Sequence, residues 1–161
     1  MNKILLVTDG GCSNNSYHGA WCALIVTPSA QDVIYGCLYP TTSSRCEILP
    51  VLEGLKRIYY DIGAKQAGLQ VKLVSDNEHV VKTIMGLYEP KKNTDLWAAV
   101  GAMTRKMKVE AVWRSRNSHP YMEMCDCVAH AVRVLSLEHV HSAVLDTIKE
   151  TGIPKLGAET I

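Results

Sequence analysis

An uninterrupted apolar run, Ile4-Leu5-Leu6-Val7, is followed at once by Thr8, a carboxylate, Asp9, and a glycine pair, Gly10-Gly11. The run reads as a buried strand. A carboxylate at the end of a buried strand is costly unless something offsets its charge. Adjacent glycines let the backbone turn sharply and let a large ligand come close. Asp9 is therefore a candidate metal ligand, against the plainer reading of an aspartate in a strand-ending turn. Two constraints follow. The fold has to bury this strand, and a metal reading needs other acidic residues brought to its end.

The remaining pattern says how that can happen. A polar turn, Gly11 to His18, leads to a second run, Ala20 to Val26, and a third, Val33 to Tyr39, lies between Asp32 and Pro40. Short connections predict an antiparallel meander of three strands. The period then changes: Ile48, Leu49, Leu52, Leu55, Ile58 and Tyr59 recur at helical spacing. Ser44 and Glu47 form a capping box at its start, and Gly63 ends it. Pro50 lies beyond the first turn, removes a backbone hydrogen bond and predicts a kink or an irregular first turn.

Val71 to Asp76 is a fourth strand that also ends in aspartate. A short helix, Asn77 to Met85, and a loop reach a second helix, Asp95 to Lys106, with Leu96, Trp97, Val100 and Met103 inward. Glu110 to Trp113 is a fifth strand, followed by a polar loop carrying Arg114 and Arg116. Met122 to Leu137 reads as a helix with Val128, Ala131, Val132 and Leu135 inside, and Val140 to Thr151 as a last one. Residues 155–161 read as a frayed tail. Strands 1, 4 and 5, separated by helices, are expected to be parallel neighbours. The fold class is α/β: a five-stranded mixed sheet, three antiparallel strands then two parallel, flanked by helices. Residues 1–139 form the domain, and 140–161 a C-terminal helix and tail packed on it.

Composition narrows the function. The 161 residues suit one domain. A net charge of +1 gives no global basic field, so any nucleic-acid contact has to be local. No run approaches the roughly 20 apolar residues that span a bilayer, and the N-terminus lacks a signal-peptide pattern. The expectation is a cytoplasmic protein with no membrane contact. The six cysteines form no C-x-x-C pair, and no histidine pair has zinc-finger spacing, so they read as reduced thiols, mostly small core residues.

Four acids stand at suggestive points: Asp9 and Asp76 at strand ends, Glu47 near a helix start, and Asp126 early in a late helix. Adjacent parallel strands 1 and 4 would bring Asp9 and Asp76 to the same sheet edge, where ligands bind in α/β folds. Crowded carboxylates need cations to stay ionised, and hard oxygen ligands suit Mg²⁺ or Mn²⁺.

The segments T-D-G-G-C-S-N-N (8–15), T-T-S-S-R-C-E (41–47), V-S-D-N (74–77), N-T-D-L-W (93–97) and S-H-P-Y-M-E-M-C-D-C-V-A-H-A (118–131) resemble, in order and spacing, those of type 1 ribonuclease H. That resemblance implies the ribonuclease H-like fold and an endoribonuclease that cuts the RNA strand of RNA/DNA hybrids, leaving 3′-hydroxyl and 5′-phosphate ends. It implies two Mg²⁺ ions, with Mn²⁺ as substitute, no small-molecule cofactor, and a monomer. Asp9 would bridge both ions, Glu47 and Asp76 would complete the leaving-group site, and Asp126 would help hold the ion that activates water. Gly11, Cys12, Ser13 and Asn15 would face the RNA. Thr42, Ser43, Ser44, Asn77 and Arg116 would complete the substrate contacts.

The chain also departs from the family pattern. Arg116 stands where a mobile histidine is common, and arginine cannot serve as a base near neutral pH. It could hold a phosphate instead. His119 is a possible auxiliary group. Glu78 replaces a glutamine beside Asp76, and the loop from Met85 to Asn93 is short, leaving Lys91 and Lys92 to grip the DNA strand. Weak, salt-dependent binding is the expectation. Two alternatives stand beside the hybrid nuclease: a nuclease of the same fold acting on branched DNA, and a non-catalytic hybrid-binding module.

Overall fold

A computed structural model describes residues 3–13, 16–62 and 68–134, with Asp146, Lys149 and Ile161. Among these, five strands form one sheet: β1 (Lys3–Cys12), β2 (Gly19–Val26), β3 (Gln31–Leu38), β4 (Gln70–Ser75) and β5 (Lys108–Trp113), in the order β3-β2-β1-β4-β5. β1 pairs antiparallel with β2 and parallel with β4; β2–β3 is antiparallel and β4–β5 parallel. This is the expected mixed sheet, with the expected meander.

The period-two alternation of β1 divides the core. Ile4 and Leu6 join one apolar cluster with residues of α1 (Ser43–Arg57), α2 (Glu78–Ile84) and α3 (Thr94–Thr104). Leu5 and Val7 join a second cluster with α4 (Pro120–Val134). A strand covered on both faces needs an unbroken apolar run, which is why Ile4 to Val7 show no alternation. Trp97, Val100 and Met103 are buried as expected, and Leu96 packs at the edge of the first cluster. Ala129 takes a buried place on α4, and Ala131 is only half-buried. Cys22, Cys46 and Cys125 are buried and all six thiols are free. The Cys125 thiol donates to the Val7 and Cys22 carbonyls at 3.4 Å each, tying α4 to the sheet.

Several local expectations are corrected. β1 does not stop at Asp9: its ladder with β2 continues through Cys12, while that with β4 ends at Val7–Val74. The connection therefore starts later than expected, and Ser13 N donates to the His18 carbonyl at 2.8 Å across it. The cap of α1 is Thr42, not Ser44. Thr42 is extended, and its hydroxyl accepts from Arg45 N at 3.3 Å. A threonine two residues earlier takes the capping role, so Ser43 and Ser44 lie inside the first turn.

α1 runs through Pro50 without a break, and its irregularity comes at the other end, as a π-helical turn at Ile58–Ile62. α4 begins at Pro120, a residue suited to a first helical position. Ile161, expected to fray, is buried in the α4-side cluster, where its backbone oxygen accepts from Lys72 Nζ. The predicted Gly63 stop, Leu135, the stretch to Leu137 and the 140–151 helix lie outside the described residues, as does the proposed 140–161 segment apart from Asp146, Lys149 and Ile161. No helix among the described residues is long and apolar enough to cross a membrane.

Candidate active site

The site forms where β4 stops and β1 continues alone with β2. Asp76 follows the last residue of β4, and Asp9 lies just past the end of the β1–β4 ladder. The alternation that sends Leu5 and Val7 toward α4 sends Asp9 the same way. Glu47 arrives from α1 through a close approach. Pro50 has no N–H, so the Cys46 carbonyl four residues earlier gets no helical partner, and this carbonyl packs against Gly10. A Cβ on Gly10 would lie 1.9 Å from the Cys46 oxygen. The glycine therefore sets how near α1 comes to β1, and Glu47 is the next residue along.

Arg45 fixes the same helix turn from outside. Its guanidinium donates to both Asp95 oxygens, at 3.1 and 2.8 Å, and to Asn93 Oδ1 at 3.2 Å.

Asp9, Glu47 and Asp76 each offer a carboxylate oxygen within 4.8 Å of the other two. Asp126 completes the group from α4, lining the same small cleft as Thr8, Asp9, Asp76 and Arg116. Burial, then the neighbouring Asp76 charge and a hydrogen bond to Asp126, push the Asp9 carboxyl up to about 7. Burial, then the Asp9 and Asp76 charges, push Glu47 up to about 9. Burial also raises Asp76, opposed by the Arg116 charge. Two buried oxygens, Thr8 Oγ1 and Glu47 Oε2, have no hydrogen-bond partner. Crowded, desolvated carboxylates with an orphaned oxygen fit a hard divalent cation, which would supply the missing partner and charge.

A linked effect on stability follows. Both carboxyls have native values above their ordinary 3.8 and 4.5. Between those values and about 7 to 9 the native state binds more protons than the unfolded one, so stability falls as pH rises through this window. In excess EDTA the melting temperature is expected to drop from about pH 5 to about pH 9, and Mg²⁺ to restore most of the loss at the alkaline end. A melting temperature that rises with pH in EDTA contradicts this electrostatic picture.

Arg116 reaches into the site. Its Nη2 lies 3.0 Å from Asp126 Oδ1 and its Nε 3.8 Å from Asp76 Oδ2, while the side chain stays 66% exposed. His119 does not reach the carboxylates. Its Nδ1 accepts from Tyr121 N at 3.1 Å, and its carbonyl accepts from Met122 N and Glu123 N, so it closes the start of α4. Burial lowers its pKa, in keeping with a neutral, accepting ring.

Gly11 and Cys12 end β1 and, with Ser13, are half-buried. Asn15 lies outside the described residues. Thr42, Ser43 and Ser44 are exposed on the first turn of α1. Asn77 caps α2 with Oδ1 accepting from Val80 N at 3.0 Å. Sequence reasoning missed Trp113, whose indole N–H donates to the Asp76 carbonyl at 3.0 Å. No local pattern marks it, because the contact joins the ends of two strands.

The RNase H family model matches residues 1–133. Ribonuclease H of Oleidesulfovibrio alaskensis is 30% identical over 150 residues, covering 83% of this chain and 93% of that protein. Ribonuclease H of Syntrophomonas wolfei is 31% identical over 145 residues, covering 80% and 94%. Among solved structures, the N-terminal RNase H domain of rv2228c from Mycobacterium tuberculosis, fused to maltose-binding protein, superposes with a TM-score of 0.67 at 17% identity, covering 91% of this chain and 99% of that one. LC11-RNase H1 in complex with an RNA/DNA hybrid gives 0.63 at 20% identity, covering 76% and 92%. With its sheet order, its acidic cluster and a family match that takes in all four acids, the chain belongs to the ribonuclease H family of RNA-cleaving hydrolases.

Proposed function

We propose that this protein hydrolyses the RNA strand of RNA/DNA hybrids, using two Mg²⁺ ions held by Asp9, Glu47, Asp76 and Asp126, and leaves 3′-hydroxyl and 5′-phosphate ends. The observation that carries this reading is the convergence of Asp9, Glu47 and Asp76 oxygens within 4.8 Å in a ribonuclease H fold. The hybrid is carried over from family membership and from LC11-RNase H1, which was solved with one. Ions bound there would lower the pKa of an attacking water and offset charge on the leaving oxygen.

The chain's own residues orient the substrate. Backbone groups of Gly11, Cys12 and Ser13 face the RNA 2′-hydroxyls, the feature that separates RNA from DNA. Thr42, Ser43, Ser44 and Asn77 border the path of the strands. A groove of about 690 Å³ runs from Ser44 and Asn77 past Tyr88 to Lys91 and Lys92, and takes the DNA backbone.

The test is a labelled-duplex panel of RNA/DNA, RNA/RNA, DNA/DNA and a four-way junction, each with Mg²⁺ or Mn²⁺. Cleavage confined to the RNA of the hybrid is expected. Junction cleavage with an intact hybrid favours the branched-DNA reading, and binding without cleavage favours the non-catalytic one.

Arg116 supplies positive charge to Asp76 and Asp126 from an exposed loop position. Removing that charge leaves the carboxylates less compensated. Arg116→Ala is expected to tighten Mn²⁺ binding several-fold by calorimetry while lowering turnover about tenfold, well short of the loss of a carboxylate. Turnover falling as far as in a carboxylate variant would give Arg116 a direct role in the chemistry.

A further inference from the structure

Gly11 has a cationic neighbour from α4. A Cβ on Gly11 would lie 2.7 Å from Arg133 Nη1, so the Arg133 guanidinium rests on the backbone of the strip assigned to the RNA. Its Nη2 lies 3.1 Å from His130 Nδ1. Arginine can only donate, so Nδ1 accepts and the imidazole carries its proton on Nε2, leaving a second donor. Among the described residues no carboxylate pairs with Arg133. Arg45, Arg57 and Arg116 are paired there, while Arg105 and Arg114, like Arg133, show no carboxylate partner, so what sets Arg133 apart is its place against Gly11.

Asp126, His130 and Arg133 are spaced i, i+4, i+7 and form one stripe of α4. The helical rise puts Arg133 about 10 Å along the axis from Asp126, a span of about two to three phosphates. A forked guanidinium without a carboxylate partner, held by a histidine at the edge of a nucleic-acid strip, suits a phosphate oxygen pair.

We infer that Arg133, positioned by His130, is a phosphate subsite for the RNA strand, two to three nucleotides from the scissile bond. The inference rests on the hybrid reading and on the placement of Gly11 to Ser13 against RNA. Gly11 belongs to it, because any side chain there would push the guanidinium away.

The test measures RNA/DNA hybrid affinity in an Asp9→Asn background, by fluorescence anisotropy across a KCl series. Arg133→Ala is expected to weaken binding about tenfold at low salt and to reduce the slope of log K against log salt by about one phosphate contact. Arg133→Gln, which keeps a polar side chain beside His130, is expected to do the same. Arg133→Lys is expected to keep the slope and lose part of the affinity. Mn²⁺ affinity by calorimetry, in the otherwise unaltered chain, is expected to be unchanged by all three.

Unchanged affinity and slope in Arg133→Ala and Arg133→Gln overturn the subsite, as does weakening with no change of slope. If the Asp9→Asn parent binds hybrid and the Arg133 variants bind equally well, this inference alone fails. If neither the parent nor the unsubstituted chain binds hybrid, the proposed function fails with it.

Discussion

Asp9→Asn is expected to abolish cleavage, by about a thousandfold or more, while leaving hybrid affinity close to normal. Asparagine keeps the size of the side chain and one oxygen, but it carries no charge and would hold a divalent cation far less well than a carboxylate. Asp9 is 7% exposed and faces Glu47, Asp76 and Asp126, not the outer strip of Gly11 to Ser13. Under the proposed function its loss would remove metal binding rather than the substrate surface.

The same substitution has an opposite effect on stability. A carboxyl pushed up to about 7 by burial and by like charges is a cost to the metal-free fold once ionised. In EDTA above about pH 7 the variant is expected to melt higher than the parent. Activity assays and melting curves on one preparation read both effects. Full cleavage in the variant, or cleavage by the parent in excess EDTA, refutes the metal assignment.

Gly10→Ala is expected to be the most damaging small substitution near the site. The added carbon would lie 1.9 Å from the Cys46 carbonyl oxygen and 2.5 Å from its carbon, and 3.2 Å from the Ala20 oxygen. All three atoms are backbone, so no side chain can rotate out of the way. Relief requires α1 to move off β1, which opens the packing of Ile48, Val51, Leu52 and Leu55 against Leu6 and Ala23. Overpacking of this kind costs about 3 kcal/mol or more.

The movement also carries Glu47 away from Asp9. Mg²⁺ affinity is therefore expected to fall in whatever fraction folds. Gly11→Ala is the comparison: its new carbon meets only the end of the Arg133 side chain, which can move. Chemical denaturation of the two variants checks the contrast, and equal stabilities would contradict the close approach.

The long apolar periods made most of the architecture legible. Ile4 to Val7 announced a buried strand, and helices between strands 1, 4 and 5 implied parallel pairing, as found. Local capping was less legible. Ser44 with Glu47 and Thr42 alone are both valid helix starts, and only the extended backbone at Thr42 selects between them. From sequence, Pro50 predicts a kink or an irregular first turn in α1, which instead runs through it. In the fold its missing N–H frees the Cys46 carbonyl, which packs on Gly10, and that contact is invisible in either segment taken alone.

Residue types and order in the sequence determined the sheet, the reduced cysteines and the three acids that answer Asp9. Those follow from hydrophobic periodicity and from chemistry carried by single side chains. The tertiary structure decided what distance and burial decide. It extended β1 past Asp9, so that the carboxylate sits within a strand. It brought Glu47 beside Asp9 through the Gly10–Cys46 contact, raised the carboxyls by desolvation, and put Arg116 rather than His119 on the acids. It also laid Arg133 on Gly11. Each of these joins residues far apart in the chain, and no local pattern encodes the meeting of two surfaces.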